Sequence, residues 1–136
     1  MSERVPGLHG VVYVADLERC ATFYAEVAGL QVVERDDGFV TLASDAVELS
    51  LVRMPYDEPV SHVDNSGGSL PERRSENPVK LSFPVDSLEA TAGRAETLGG
   101  ALDDADSTWE FRGWRHRHGV DPEGNVVSFR EPSTRA

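Results

Sequence analysis

The sequence predicts an α+β fold: two tandem βαβββ units forming a cupped mixed sheet with the helices on its outer face. Three observations predict it. The chain nearly repeats itself, because residues 79–102 (VKLSFPVDSLEATAGRAETLGGAL) lie without a gap on residues 8–31 (LHGVVYVADLERCATFYAEVAGLQ) at a shift of 71 positions. Each copy opens on an alternating apolar run and passes into a helix-period stretch that ends at glycine. A repeated unit that cannot bury its own sheet face must also pair with its copy, and the groove between two such sheets is a natural ligand site. The 136 residues fit one domain with a real core, divided into unit one (7–53), a linker (54–78) and unit two (79–131).

In unit one, Leu8–Val14 alternates as a strand does, with His9, Val11 and Tyr13 on one face and Leu8, Val12 and Val14 on the other. Asp16 offers an N-cap, and Leu17, Cys20, Ala21, Tyr24 and Val27 follow at helical spacing. Gly29 stands where a left-handed stop belongs. Gln31–Arg35, Phe39–Ala43 and Val47–Arg53 read as three further strands, separated by the turn signals Asp36-Asp37-Gly38 and Ser44-Asp45. Unit two repeats the order: strand Val79–Val85, N-cap Ser87, helix face Leu88, Ala92, Ala95 and Leu98, and stop Gly99-Gly100. Strands near Thr108–Phe111, Trp114–Val120 and Asn125–Glu131 follow, the last two joined by the turn Asp121-Pro122-Glu123-Gly124. The linker is rich in Pro, Gly, Ser and charge, and either spans the units or folds over a binding site.

Charge and composition exclude several classes. With 13 Lys+Arg against 24 Asp+Glu, net −11, the chain lacks the basic surface that nucleic-acid binding needs. No apolar run approaches the roughly 18 residues of a membrane helix, and the N-terminus MSERVPG has no apolar stretch of a signal peptide. A single cysteine, Cys20, forms no intrachain disulfide and reads as a small buried hydrophobe. A cytoplasmic location is the expectation.

The segments LHGVVYVADLERCATFYAEVAGL, VELSLV and GVDPEGNVVSFRE carry a resemblance to the vicinal oxygen chelate superfamily, which includes glyoxalase I, bleomycin-resistance proteins, fosfomycin-resistance transferases and extradiol dioxygenases. It covers the chain apart from linker and termini. Metal-dependent members hold one divalent ion with ligands from the first and fourth strands of each unit. The resemblance places His9 and Glu48 at two of those positions as matches. At the other two it places Lys80, where histidine is expected, and Ser128, where glutamate is expected. The repeat likewise sets His9 beside Lys80 and Glu48 beside Ser128.

A catalytic zinc or iron generally takes three protein ligands and an open position. His9 and Glu48 are too few, and an ammonium in the first shell repels the ion, so no metal and no other cofactor are expected. If a metal is held, His9 and Glu48 hold it, with His116 and His118 as an H-x-H supplement. Otherwise Lys80 supplies the missing ion's charge and pairs with Glu48, either as a remnant of a chelate site or to orient a polar ligand with His9 and Ser128. Strand parity adds Tyr13, Ser50, Ser82 and Arg130 to the same face, whereas the opposite parity is apolar and suits packing under the helices. In the stretch 109–118, Trp109 and Trp114 are candidates to stack on an aromatic ligand. Its arginines are expected to pair with Asp103, Asp104 or Glu110, and the parity of strand 114–120 is left open.

The leading expectation is therefore a metal-free binder of a small organic molecule, of the bleomycin-resistance type, assembled as a homodimer. Two alternatives stand beside it: a lyase or dioxygenase-like enzyme whose metal site is completed in another way, and a metal-free isomerase using His9, Glu48 or Lys80 in acid–base roles.

Overall fold

The computed structural model describes residues 7–54 and 73–133, so most of the linker reading, residues 55–72, lies outside the described residues. The chain divides into two compact units, Met1–Pro59 and Val60–Ala136. Among the described residues no helix is long and apolar enough to cross a membrane.

Unit one runs β1 (Leu8–Val14), α1 (Leu17–Val27), β2 (Gln31–Arg35), β3 (Phe39–Ala43) and β4 (Val47–Arg53). The sheet order is β1-β4-β3-β2, with β1 parallel to β4 and the other pairs antiparallel. Local chemistry fixes the ends. The Asp16 carboxylate accepts from the Arg19 N–H at 3.2 Å, and Gly29 takes φ +74° after the helix. One face of the sheet packs on α1: Val14, Val40, Leu42, Leu49 and Leu51 are buried with Leu17, Cys20, Phe23, Tyr24 and Val27 from the helix. The rings of Phe23 and Tyr24 meet edge to face at 5.3 Å, a contact worth about 1 kcal/mol beyond their burial.

Unit two runs β5 (Leu81–Pro84), α2 (Leu88–Thr97), β6 (Ala101–Leu102), a 3-10 turn (Ala105–Ser107), β7 (Trp109–Phe111), β8 (Trp114–Val120) and β9 (Val126–Pro132). Its sheet has five strands rather than the expected four, ordered β5-β9-β8-β6 with β7 also on β8. The counterpart of β2 is split. β6 pairs with Gly119 and Val120, β7 pairs with Trp114 to His116, and the 3-10 turn interrupts them, closed by Ser107 N–H and Oγ bonds to the Asp104 carbonyl. Such a short strand carries no periodicity for the sequence to display.

The expected strand Val79–Val85 is shorter in the structure, and Lys80 precedes it. The Asn77 side chain accepts from the Val79 N–H at 3.3 Å, holding that residue in a turn rather than a ladder. Ser87 caps α2 as expected, accepting from the Ala90 N–H at 3.1 Å, and Glu131 on β9 adds a carboxylate to the same helix start, accepting from the Leu88 N–H at 2.7 Å. Close packing also explains Gly119. A Cβ there would stand 2.5 Å from the Ala101 carbonyl oxygen, so only glycine lets β6 approach β8.

The β7–β8 hairpin turns on Arg112 (φ 56°) and Gly113 (φ 85°), two successive positive φ values that define a type I′ turn. Glycine suits this conformation, and arginine bears the Cβ penalty of the left-handed region. Arg112→Asn, which gives the Asn-Gly pair this turn prefers, is expected to stabilise the protein by about 0.5–1 kcal/mol. A urea midpoint that rises at unchanged slope is the check; an unchanged or lower midpoint counts against the turn as described.

Candidate functional site

Each unit carries a polar sheet face opposite its helix. In unit one, β1 and β4 bring His9, Tyr13, Glu48 and Ser50 to that face, with His9 aligned to Glu48 and Val11 to Ser50. His9 Nε2 lies 2.9 Å from Ser50 Oγ, which in turn lies 2.7 Å from Thr41 Oγ1 across β3. Thr41 and Ser50 are buried, whereas His9 and Tyr13 are exposed and Glu48 is half-buried. The bond to Ser50 orients the His9 ring from beneath. Sequence reasoning had no reason to single out Thr41; its parity opposite Ser50 on the β3–β4 hairpin was the available signal.

The two parallel registers correct the pairing of Glu48 with Ser128. Val11 is aligned with Ser50, its repeat partner 71 positions on is Ser82, and Ser82 is aligned with Ser128. Ser50, not Glu48, is therefore the counterpart of Ser128. The error was a slip of two residues along a strand, which preserves the side of the sheet and so left the assignment of faces intact.

In unit two the parity of β8 is settled by the hairpin with β9. His118 is aligned with Ser128, His116 with Arg130 and Trp114 with Pro132. Trp114, His116 and His118 thus share a face with Ser82, Ser128 and Arg130, while Arg115 and Arg117 point to the helix side. The expected arginine partners change accordingly. Arg115 pairs with Glu131 at 3.1 Å, Arg117 donates to Thr108 Oγ1 at 2.9 Å, and Asp103 is taken by Arg73 at 2.9 Å.

The groups on the polar face of unit two form a connected cluster. Lys80 Nζ hydrogen-bonds His118 Nε2 and stands 5.3 Å over the Trp109 ring. Trp109 stacks on His116 at 5.2 Å between ring centres, nearly parallel, and lies 4.7 Å from His118. Nearby, Arg130 donates to the carbonyl and hydroxyl oxygens of Ser82 at 3.0 and 2.9 Å, and its guanidinium lies 4.9 Å over Trp114. An ammonium can only donate, so Nε2 of His118 is the acceptor and its proton sits on Nδ1. Burial holds the His118 pKa below its ordinary value, the Lys80 charge lowers it further, Asp103 opposes and Arg73 reinforces. Beside this cluster lies an open depression of about 500 Å³ lined by Arg73, Ala101, Leu102, Asp103, Asp104, Ser107 and Val120.

His118 was weighed from the sequence only as a supplementary metal ligand, and its bond to Lys80 was missed. The hairpin closes one residue later than the turn 121–124 implies: the Asp121 N–H donates to the Asn125 carbonyl at 3.0 Å, and counting outward from that pair aligns 120 with 126 and 118 with 128.

Residues 10–129 match the family of glyoxalase-like domains, and the chain belongs to that family. No curated protein matches it in sequence. Solved structures share the fold. A glyoxalase/bleomycin resistance protein/dioxygenase family enzyme from Burkholderia phytofirmans is 18% identical with a TM-score of 0.65, over 95% of this chain and 100% of its own. A glyoxalase/bleomycin resistance protein from Albidiferax ferrireducens is 19% identical with a TM-score of 0.63, over 93% and 98%. The genomically encoded fosfomycin resistance protein of Listeria monocytogenes is 14% identical with a TM-score of 0.62, over 97% and 95%.

The divalent ion of the superfamily's metal-dependent members does not suit the residues present. Lys80 offers an ammonium without a lone pair, Ser128 a neutral hydroxyl, and Ser50 a hydroxyl already bonded to two neighbours. Among the described residues no three His, Cys, Asp or Glu side chains are grouped so that they could hold an ion.

Proposed function

We propose that this chain binds a small organic molecule in the manner of the bleomycin-resistance proteins, without a chelated metal, and that Trp109 and Trp114 grip a planar part of it. The observation that carries this reading is the Lys80–His118–Trp109 cluster. A cation stands at a position where the superfamily's metal enzymes place a ligand, and it is hydrogen-bonded to a histidine and set over an indole. The relatives named for bleomycin and fosfomycin resistance support the choice of a small organic ligand. Ser82, Ser128 and Arg130, on the same face of unit two, are proposed to complete the contacts, while His9, Tyr13, Glu48 and Ser50 make up the polar face of unit one.

A second reading, acid–base catalysis without metal, is favoured by one observation: an uncharged imidazole touching an ammonium gives an adjacent proton donor and a histidine of lowered pKa.

Tryptophan fluorescence tests the first reading. A planar ligand is expected to quench the emission, and Trp109→Ala to weaken binding about fivefold, the equivalent of about 1 kcal/mol of ring stacking. Elemental analysis of the purified protein is expected to find no stoichiometric zinc, nickel, manganese or iron. One such ion per chain, lost on His9→Ala, would promote the metal-dependent enzyme instead; binding indifferent to both Trp→Ala changes would leave the indoles as packing.

A further inference from the structure

We infer that the polar face of unit two is a binding site for a planar organic carboxylate, with Lys80 and Arg130 for the anion and Trp109 for the ring. This rests on the binding reading above and adds the charge of the ligand to it. The argument begins with an anomaly of distribution. The chain carries 24 acidic residues against 13 Lys and Arg, so a sheet face without free carboxylates runs against its composition. Strand register nevertheless sends every carboxylate of β7, β8 and β9 away from this face. Glu110, Arg115 and Glu131 are aligned with one another in a row on the opposite side, where Glu131 is held by Arg115 and by the start of α2.

What the face does present is Ser82, Trp109, Trp114, His116, His118 and Arg130, with Lys80 at its lip. Among the described residues, Asp103 beyond β6 is an acid close to His118 on this side, and both its oxygens are engaged by Arg73 at 2.9 and 3.1 Å. Lys80 is exposed and rests on a neutral histidine rather than on a carboxylate. Arg130 is likewise bonded to the neutral oxygens of Ser82. Two cations buttressed by neutral acceptors keep their charge for an incoming anion, whereas ion-paired ones would not. Each cation lies against a half-buried indole, Lys80 on Trp109 and Arg130 on Trp114, so aromatic apolar surface adjoins both positive charges.

The test uses one ring system in three charge states. The full chain is titrated with 2-naphthoate, its neutral amide and its cationic amidine, followed by calorimetry and by quenching of tryptophan emission. The acid is expected to bind at least tenfold more tightly than the amide. Lys80→Met should weaken the acid five- to tenfold and leave the amide unchanged, and Lys80→Arg should retain most of the acid's affinity. Arg35→Met removes the same charge from unit one, at an exposed pair with Glu18, and should change nothing. Added salt should weaken the acid alone.

Amide or amidine binding as tightly as the acid, with quenching, would overturn the carboxylate inference while leaving the binding reading in place. So would a loss of acid affinity in Arg35→Met equal to that in Lys80→Met. Absence of binding and of quenching by all three would overturn the binding reading, and the carboxylate inference with it.

Discussion

Asp121→Ala is expected to destabilise the protein by about 3 kcal/mol and to lower its melting temperature by about 10 °C. Asp121 is fully buried at the turn between β8 and β9. Its carboxylate accepts from the Glu123 N–H at 2.8 Å, the Asn125 N–H at 2.9 Å and the Asn125 side-chain amide at 2.9 Å. Bonds to a charged acceptor each contribute about 1.5–3 kcal/mol net, and alanine leaves three donors without their partner in a buried turn. Some of that loss is recovered by water and by relaxation, which brings the expected total to about 3 kcal/mol. Asp121→Asn keeps an acceptor and should lose about half as much. The effect reaches the site, because this turn sets the alignment of His118 with Ser128. Thermal melts of the two variants check it, and a shift below about 2 °C for Asp121→Ala would contradict the role assigned to the carboxylate.

The second large effect is a gain. Lys80→His combined with Ser128→Glu is expected to raise zinc affinity at least about a hundredfold, the equivalent of about 3 kcal/mol. The two introduced side chains flank His118, since Lys80 touches its Nε2 and Ser128 is its neighbour across the hairpin. The result is a His, His, Glu set within one unit, the kind of donor set that catalytic zinc sites use. Ser128 is buried, so a glutamate there without metal is expected to destabilise the fold, and zinc should restore the melting temperature. Adding His118→Gln to the pair should abolish the gain. If the triple variant binds zinc as tightly as the double one, the ion is held elsewhere.

How far the sequence was legible differs between fold and site, for physical reasons. The helix boundaries were readable because Asp16, Ser87 and Gly29 are local devices acting within one turn of chain. The two faces of the sheets were readable because alternation survives any even slip of register. The partners within a face were not, as Glu48 illustrates. Which residues meet across parallel strands depends on a ladder closed by distant segments, and nothing local to VELSLV reports it. The split of the second unit's outer strand was hidden for a related reason, since β6 spans only Ala101 and Leu102 and is defined by Gly119 letting it approach. The Lys80–His118 bond combines both difficulties, joining a residue ahead of one strand to the middle of another.

The interruptions along the outer strands bear on how this chain avoids its own copies. A long, flat strand at the rim of a sheet offers its unpaired amides and carbonyls as a template, and a second molecule can extend it into a fibril-like stack. In unit one the rim strand β2 shifts register at Val33, between Val32 and Glu34, and then carries Glu34 and Arg35. In unit two the equivalent strand is broken by a 3-10 turn between β6 and β7, so no run there exceeds three residues. Both halves of the repeat therefore blunt the same rim, one with a bulge and the other with a gap. This guards a chain whose exposed surface includes Val32, Val33 and Phe111 against edge-to-edge aggregation.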